Sequence, residues 1–196
     1  MDAFLVSTAV VAVAEIGDKT QLLALMLTCR FCRPVPILLG ILIATLANHA
    51  VAAALGASAA GLIGPTEQQW ILGISFLAMA LWVLVPDKIE EAGGWRERFG
   101  AFGTTLVSFF LLEIGDKTQI ATVALAARYE AVLWVTLGTT LGMLVANAPV
   151  VLLGRMVAKR TPLPAIRMVA AGAFLLLAVA ALFEPLSALV ATAFSR

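Results

Sequence analysis

Seven residues, Glu15-Ile16-Gly17-Asp18-Lys19-Thr20-Gln21, return letter for letter as Glu113-Ile114-Gly115-Asp116-Lys117-Thr118-Gln119. The interval, 113 − 15 = 98 residues, is half of the 196-residue chain. Each copy lies inside a long apolar run. Ionised side chains at membrane depth are costly, so where they occur they mark function. Two acids and a lysine within five residues, repeated verbatim, read as the two halves of one site.

That reading needs a membrane, and the composition supplies one. Hydrophobic residues make up 62% of the chain and charged residues 13%, against about 45–50% and 25% in soluble domains. An integral membrane protein is expected, with no room for a separate soluble domain. A formal net charge of +1 argues against nucleic acid, which calls for a basic face. The first apolar run follows Asp2 rather than a basic n-region and leads into an acidic motif, so it reads as a span and not a signal peptide. Neither end carries a lipidation or retention motif. The two cysteines, Cys29 and Cys32, form a CxxC with no second pair to complete a zinc site. Ala127 and Glu130 stand at their repeat positions, so the pair reads as incidental to the repeat.

Roughly 20 apolar residues are needed to span a bilayer, and six segments qualify. They cover 3–27 and 102–126, which carry the motifs, and 36–55, 69–85, 132–153 and 164–183. Between the third and fourth lies the most charged stretch, Asp87 to Arg98, read as a solvated linker. After the sixth, Glu184-Pro185 is expected to break the helix and leave an apolar tail in the interface.

The repeat extends beyond the motif. At the same offset Ser7 matches Thr105, Arg30 matches Arg128, and Leu39-Gly40 matches Leu137-Gly138; His49 falls on Asn147 and Phe76 on Phe174. The expected fold is therefore an all-α membrane protein of two three-helix repeats, residues 1–86 and 101–196, joined by a charged cytoplasmic linker, 87–100. Three spans are an odd number, so the second repeat crosses in the opposite sense, as in many secondary transporters. With the N-terminus outside, nine Lys and Arg fall in cytoplasmic loops (Arg30, Arg33, Lys88, Arg96, Arg98, Arg155, Lys159, Arg160 and Arg167) and two, Arg128 and Arg196, outside. The positive-inside bias then places both termini outside.

On a continuous helix Glu15 and Asp18 lie about 60° apart, with Lys19 about 40° to the other side of Glu15. Gln21 extends the stripe, while Gly17 permits close helix approach or local unwinding. If the two stripes face each other, Glu15, Asp18, Glu113 and Asp116 bring four carboxylates into one space, with Gln21, Gln119, Thr20 and Thr118 as supporting ligands. Oxygen donors of this kind suit Mg²⁺, Ca²⁺ and Mn²⁺. Four acids less two lysines leave −2, matched to a divalent ion. Close carboxylates repel once the ion leaves, so the cluster can take protons in exchange.

Lys19 and Lys117 read as counter-charges tuning the site; the alternatives are snorkelling toward the interface or Glu–Lys bridges that merely lock two helices. His49 is the sole histidine and sits beside Asn48. It offers a proton relay or helix-to-helix hydrogen bonding, and Asn147 at its repeat position cannot carry a proton. Ser7, Thr105 and Ser108 read as helix packing.

The doubled Glu-x-Gly-Asp-Lys-Thr motif resembles that of the Golgi manganese and calcium/proton exchangers and the bacterial manganese exporters of the MneA type. Asn48-His49-Ala50 and the stretch from Gly138 to Pro149 also look like bacterial members, and the likeness covers essentially the whole chain. The resemblance implies a six-span inverted-repeat fold with Glu15, Asp18, Glu113 and Asp116 as the cation site. It implies Mn²⁺ or Ca²⁺ as substrate, protons as counter-ion and, for a chain this short, a bacterial inner membrane. The function expected is Mn²⁺ export in exchange for protons, with no cofactor beyond the transported ion. Three rivals are an exporter of small amino-acid-like metabolites, which would want aromatic walls around the charges, a passive channel, and an intramembrane aspartyl protease. The last needs two acids sharing a proton with no cation beside them.

Overall fold

A computed structural model describes residues 1–85, 99–154 and 163–194. Among these the regular structure is helical and contains no strand. The first series is α1 (Asp2–Glu15), α2 (Lys19–Phe31), α3 (Pro34–Ala60) and α4 (Pro65–Trp82). The second is α5 (Gly100–Glu113), α6 (Lys117–Tyr129), α7 (Val132–Leu153) and α8 (Leu163–Phe194). Pro34 and Pro65 open α3 and α4 at positions where a missing N–H costs nothing. The charged linker, with Lys88, Arg96 and Arg98, and the basic group Arg155, Lys159 and Arg160 lie outside the described residues.

Three expectations are corrected. The runs 3–27 and 102–126 are not continuous helices: each breaks at its motif into two half-helices, α1/α2 and α5/α6, because Gly17 and Gly115 take φ values of +80° and +77° that a helix cannot contain. Glu15 and Asp18 therefore do not share one helical face. The chain does not break at Glu184-Pro185 either, since α8 runs through it to Phe194. A proline removes one helix hydrogen bond, but membrane-type helices tolerate it where packing supports the backbone, and Pro185 is buried. Of the six expected spans, α3 and α7 are individually long and apolar enough to cross a bilayer among the described residues.

The two series interlock. α1 packs chiefly on α7 of the other series, and its counterpart α5 packs on α3; α3 meets α7, and α4 meets α8. Equivalent positions make equivalent contacts. A Cβ at Gly138 would lie 2.5 Å from the Phe4 carbonyl oxygen and 3.0 Å from Ser7 Cβ; one at Gly40 would lie 3.0 Å from the Phe102 oxygen and 2.7 Å from Thr105 Cβ. These are the same contacts shifted by 98, and they put Ser7 and Thr105 in helix packing as expected. Phe76 and Phe174, equivalent to each other, meet at 6.2 Å between ring centroids.

Polarity is distributed inside out relative to a soluble protein. Leu39, Ile43, Val51, Leu137, Leu141 and Leu176 are exposed, while Glu15, Asp18, Glu113, Asp116 and Lys117 are buried. An apolar exterior over an interior of ionisable groups suits lipid and not water. Gly138→Val and Gly40→Val each force a side chain into a neighbouring backbone. Each is expected to cost about 1–3 kcal/mol by overpacking, read as a lower melting temperature of the purified protein in detergent, with similar losses at the two equivalent positions.

Candidate functional site

The motif builds a turn before it builds a site. Ile16 is extended (φ −67°, ψ 117°), Gly17 has φ +80°, and the Asp18 N–H donates to the Glu15 carbonyl at 3.1 Å. Those angles and that bond define a type II β-turn, whose third residue must adopt positive φ and so is glycine. The second copy matches: Ile114 at φ −63°, ψ 118°, Gly115 at +77°, and Asp116 N–H to Glu113 O at 3.1 Å. Asp18 and Asp116 then sit at the N-caps of α2 and α6.

The turn is stitched by the last residue of each motif. Gln21 Oε1 accepts the Gly17 N–H at 2.9 Å, and Gln119 Oε1 accepts the Gly115 N–H at 2.7 Å. This is a capping box displaced by one residue, in which glutamine at the third helical position reaches back to an unpaired amide. Gln21 Nε2 also donates to the Ala146 carbonyl on α7 at 2.8 Å. The glutamine oxygens expected as supporting ligands thus brace the turns. The threonines orient the acids: Thr20 donates to Glu15 Oε2, and Thr118 donates to Glu113 Oε2 at 2.9 Å.

The lysines reach across. Lys19 Nζ pairs with Asp116 at 2.7 Å, and Lys117 Nζ pairs with Asp18 Oδ1. Each pair takes one member from each copy. The Lys117–Asp18 pair is almost fully enclosed, with side chains 2% and 0% exposed, while Lys19 is 20% exposed. Neither lysine snorkels free of the acids, and the bridges are Lys–Asp rather than Glu–Lys.

The glutamates remain at the centre. Both are fully buried, and Glu15 Oε1, Glu113 Oε1 and Asp116 Oδ2 have no hydrogen-bond partner among the described residues. Acid oxygens of Glu15, Glu113 and Asp116 lie within 4.8 Å of one another. A hard divalent ion with bonds of roughly 2.1–2.5 Å holds its oxygens about 3–5 Å apart, so the spacing fits. Asp18, expected as a fourth ligand, is not in that group. Three buried acids this close, each with an oxygen that has no hydrogen-bond partner among the described residues, are unfavourable unless a cation or protons sit among them. The half-helix ends add to this, because Glu15 and Glu113 close α1 and α5 at the negative end of each helix dipole. Each aspartate is paired with a lysine, whereas the dyad of an aspartyl protease has no cation beside it.

Asn48 donates to the Phe110 carbonyl at 3.0 Å, in the last turn of α5, where the helix break leaves an acceptor unpaired. His49 is fully buried with no hydrogen-bond partner on either ring nitrogen among the described residues, so the expected interhelical bond is not made. Asn147 bonds within its own helix, to Met143 O at 3.0 Å. Cys29 and Cys32 are exposed free thiols; Cys32 has left-handed backbone, φ 53°, and its counterpart Glu130 has φ 48°, so this position serves as a helix terminator in both series.

Two features escaped the sequence reading. The type II turn was signalled by glycine followed at once by aspartate, a helix N-cap residue. Arg167, assigned to a loop, lies on α8 and donates from Nη2 to the Gly17 carbonyl at 3.2 Å; no motif points to it.

Comparison with known proteins bears on this geometry. The sequence model described as "Divalent cation/proton antiporter GDT1" matches residues 3–91 and 101–188, each stretch containing one copy of the motif. A Vibrio cholerae protein named "Putative manganese exporter" is 52% identical over 93% of this chain and 92% of its own length. GDT1-like protein 3 of Oryza sativa is 28% identical over 94% of this chain and 75% of its own, and its Arabidopsis thaliana namesake is 28% identical over 94% and 71%. No solved structure shows a significant match. An apolar exterior, two facing acidic motifs and these matches lead to one conclusion: the chain is a membrane protein and belongs to the GDT1 family of divalent cation/proton antiporters.

Proposed function

We propose that the protein exports Mn²⁺ from a bacterial cytoplasm across the inner membrane in exchange for protons. The observation that carries this is the clustering of Glu15, Glu113 and Asp116 oxygens within 4.8 Å at two broken helices. The manganese assignment is supported by the Vibrio cholerae relative's name, and Ca²⁺ is served by the same hard oxygen set. In this reading the molecule is two inverted three-helix repeats, 1–86 and 101–196, joined by a cytoplasmic linker at 87–100. It has six spans and periplasmic termini, each half-helix pair counting as one span. The halves rock around the acids to alternate access.

Energetics favour an exchange. Moving a divalent ion outward against 100 mV costs about 4.6 kcal/mol, from roughly 2.3 per charge. Two protons returning cancel that electrical cost. The acids bind either the ion or the protons, because occupancy by one removes the repulsion that attracts the other. Lys19 and Lys117 hold Asp116 and Asp18 while the ion is elsewhere. When the ion enters, its charge competes with theirs: Asp116, already in the cluster, is released by Lys19, and Asp18 turns toward the ion. The glutamates are the permanent ligands and the aspartates the exchangeable ones. His49, buried in α3, stands in this scheme as a candidate proton acceptor beside Asn48.

Three results are expected. Inside-out vesicles carrying the protein accumulate Mn²⁺ when the lumen is made acidic, and the variant with Glu15, Asp18, Glu113 and Asp116 all changed to amides does not; undiminished uptake by that variant would refute the site. Apparent Mn²⁺ affinity by calorimetry falls as pH is lowered, by up to about tenfold per pH unit for each proton displaced; a pH-independent affinity contradicts proton exchange. Lys117→Met strips the buried Asp18 of its counter-charge and destabilises the protein by about 3–5 kcal/mol. Added Mn²⁺ raises the melting temperature of this variant more than that of the parent.

A further inference from the structure

We propose that Arg167 is a positioning residue that holds the first motif turn shut, so that in this conformation the second turn is the more accessible of the two. The inference rests on reading the cluster as a transport site, and it names one gate of that site. The two turns have matching backbones, Gly17 at φ +80° and Gly115 at +77°, yet they are covered differently. Gly17 is buried and Ile16 half-buried, whereas Gly115 and Ile114 are exposed, Ile114 by 56%. Local conformation does not explain the difference; what lies over the first turn does.

Arg167 Nη2 donates to the Gly17 carbonyl at 3.2 Å, so a guanidinium is bound to backbone at the helix break. The equivalent residue in the first series, 167 − 98 = 69, is Gln69, which is neutral. A charge-assisted bond from an always-protonated fork is stronger than an amide's, and its positive charge disfavours a cation on that side. The offset that relates the motifs therefore places arginine over the first turn where its counterpart is glutamine. An exchanger needs the two faces inequivalent at any moment, and Arg167 supplies this for the face it covers.

The test uses the full chain in proteoliposomes with Cys29→Ser and Cys32→Ser. A reporter thiol is placed at Ile16→Cys or, as control, at Ile114→Cys, and its labelling rate by a maleimide is measured. Arg167→Gln is expected to raise the rate at position 16 by about tenfold or more, from loss of one hydrogen bond to a charged group, and to leave position 114 unchanged. Arg167→Lys, which keeps the charge, is expected to fall between. No acceleration at 16, or equal acceleration at both positions, overturns the proposal. Should Arg167→Gln not fold, Arg167→Lys carries the test alone, and a rate at 16 no faster than the parent's overturns it. Mn²⁺ binding by the parent is measured alongside: its absence sinks the transport reading, whereas the labelling result concerns the gate alone.

Discussion

Two lysine–aspartate pairs that cross between the motif copies govern this molecule. A lysine or aspartate buried alone would cost several kcal/mol. Within either copy the two charges stand side by side in sequence, at the start of a half-helix, yet each finds its partner in the other copy: Lys19 with Asp116, and Lys117 with Asp18. Neither copy can neutralise itself in that geometry. The copies must face each other at the centre of the bundle, and the interlocked packing of α1 on α7 and α5 on α3 is how the rest of the chain allows it.

The type II turn makes that crossing geometrically feasible. On an unbroken helix the glutamate, aspartate and lysine would project from one rod, and the backbone would offer the site nothing. Breaking the helix at Gly17 and Gly115 separates the jobs. Each glutamate ends one half-helix, at the negative end of its dipole; each aspartate begins the next, where the lysine of the other copy meets it. Threonine orients the glutamate and glutamine holds the turn. Six of the seven motif residues thus have a defined role, five through side chains and glycine through its backbone. The isoleucine alone contributes only its extended backbone.

Symmetry is near but incomplete, and the departures matter as much as the matches. Asn48 caps an open carbonyl on α5, while its counterpart Ala146 offers a backbone acceptor to Gln21 instead. The Lys117 pair is sealed and the Lys19 pair partly open. A strictly symmetric cage would present the same access to both sides of a membrane. Exchange requires that it does not.

Much of this was legible from the chain itself. Composition, the 98-residue offset and the acids at membrane depth point to helices, a doubled unit and hard-ligand chemistry, because hydrophobic transfer and charge burial are properties of residue type. The extent of α7 was read as observed, since an uninterrupted apolar run has few other ways to satisfy its backbone in lipid. The helix breaks were written in Gly-Asp but outweighed by the apolar run around them, and Pro185 was misjudged because its local cost is small against packing that sequence does not display. Which acid faces lysine and which faces acid, and which arginine reaches Gly17, only the tertiary structure decided. Those are contacts between residues 97 to 150 positions apart, and no local rule of propensity or spacing carries that information.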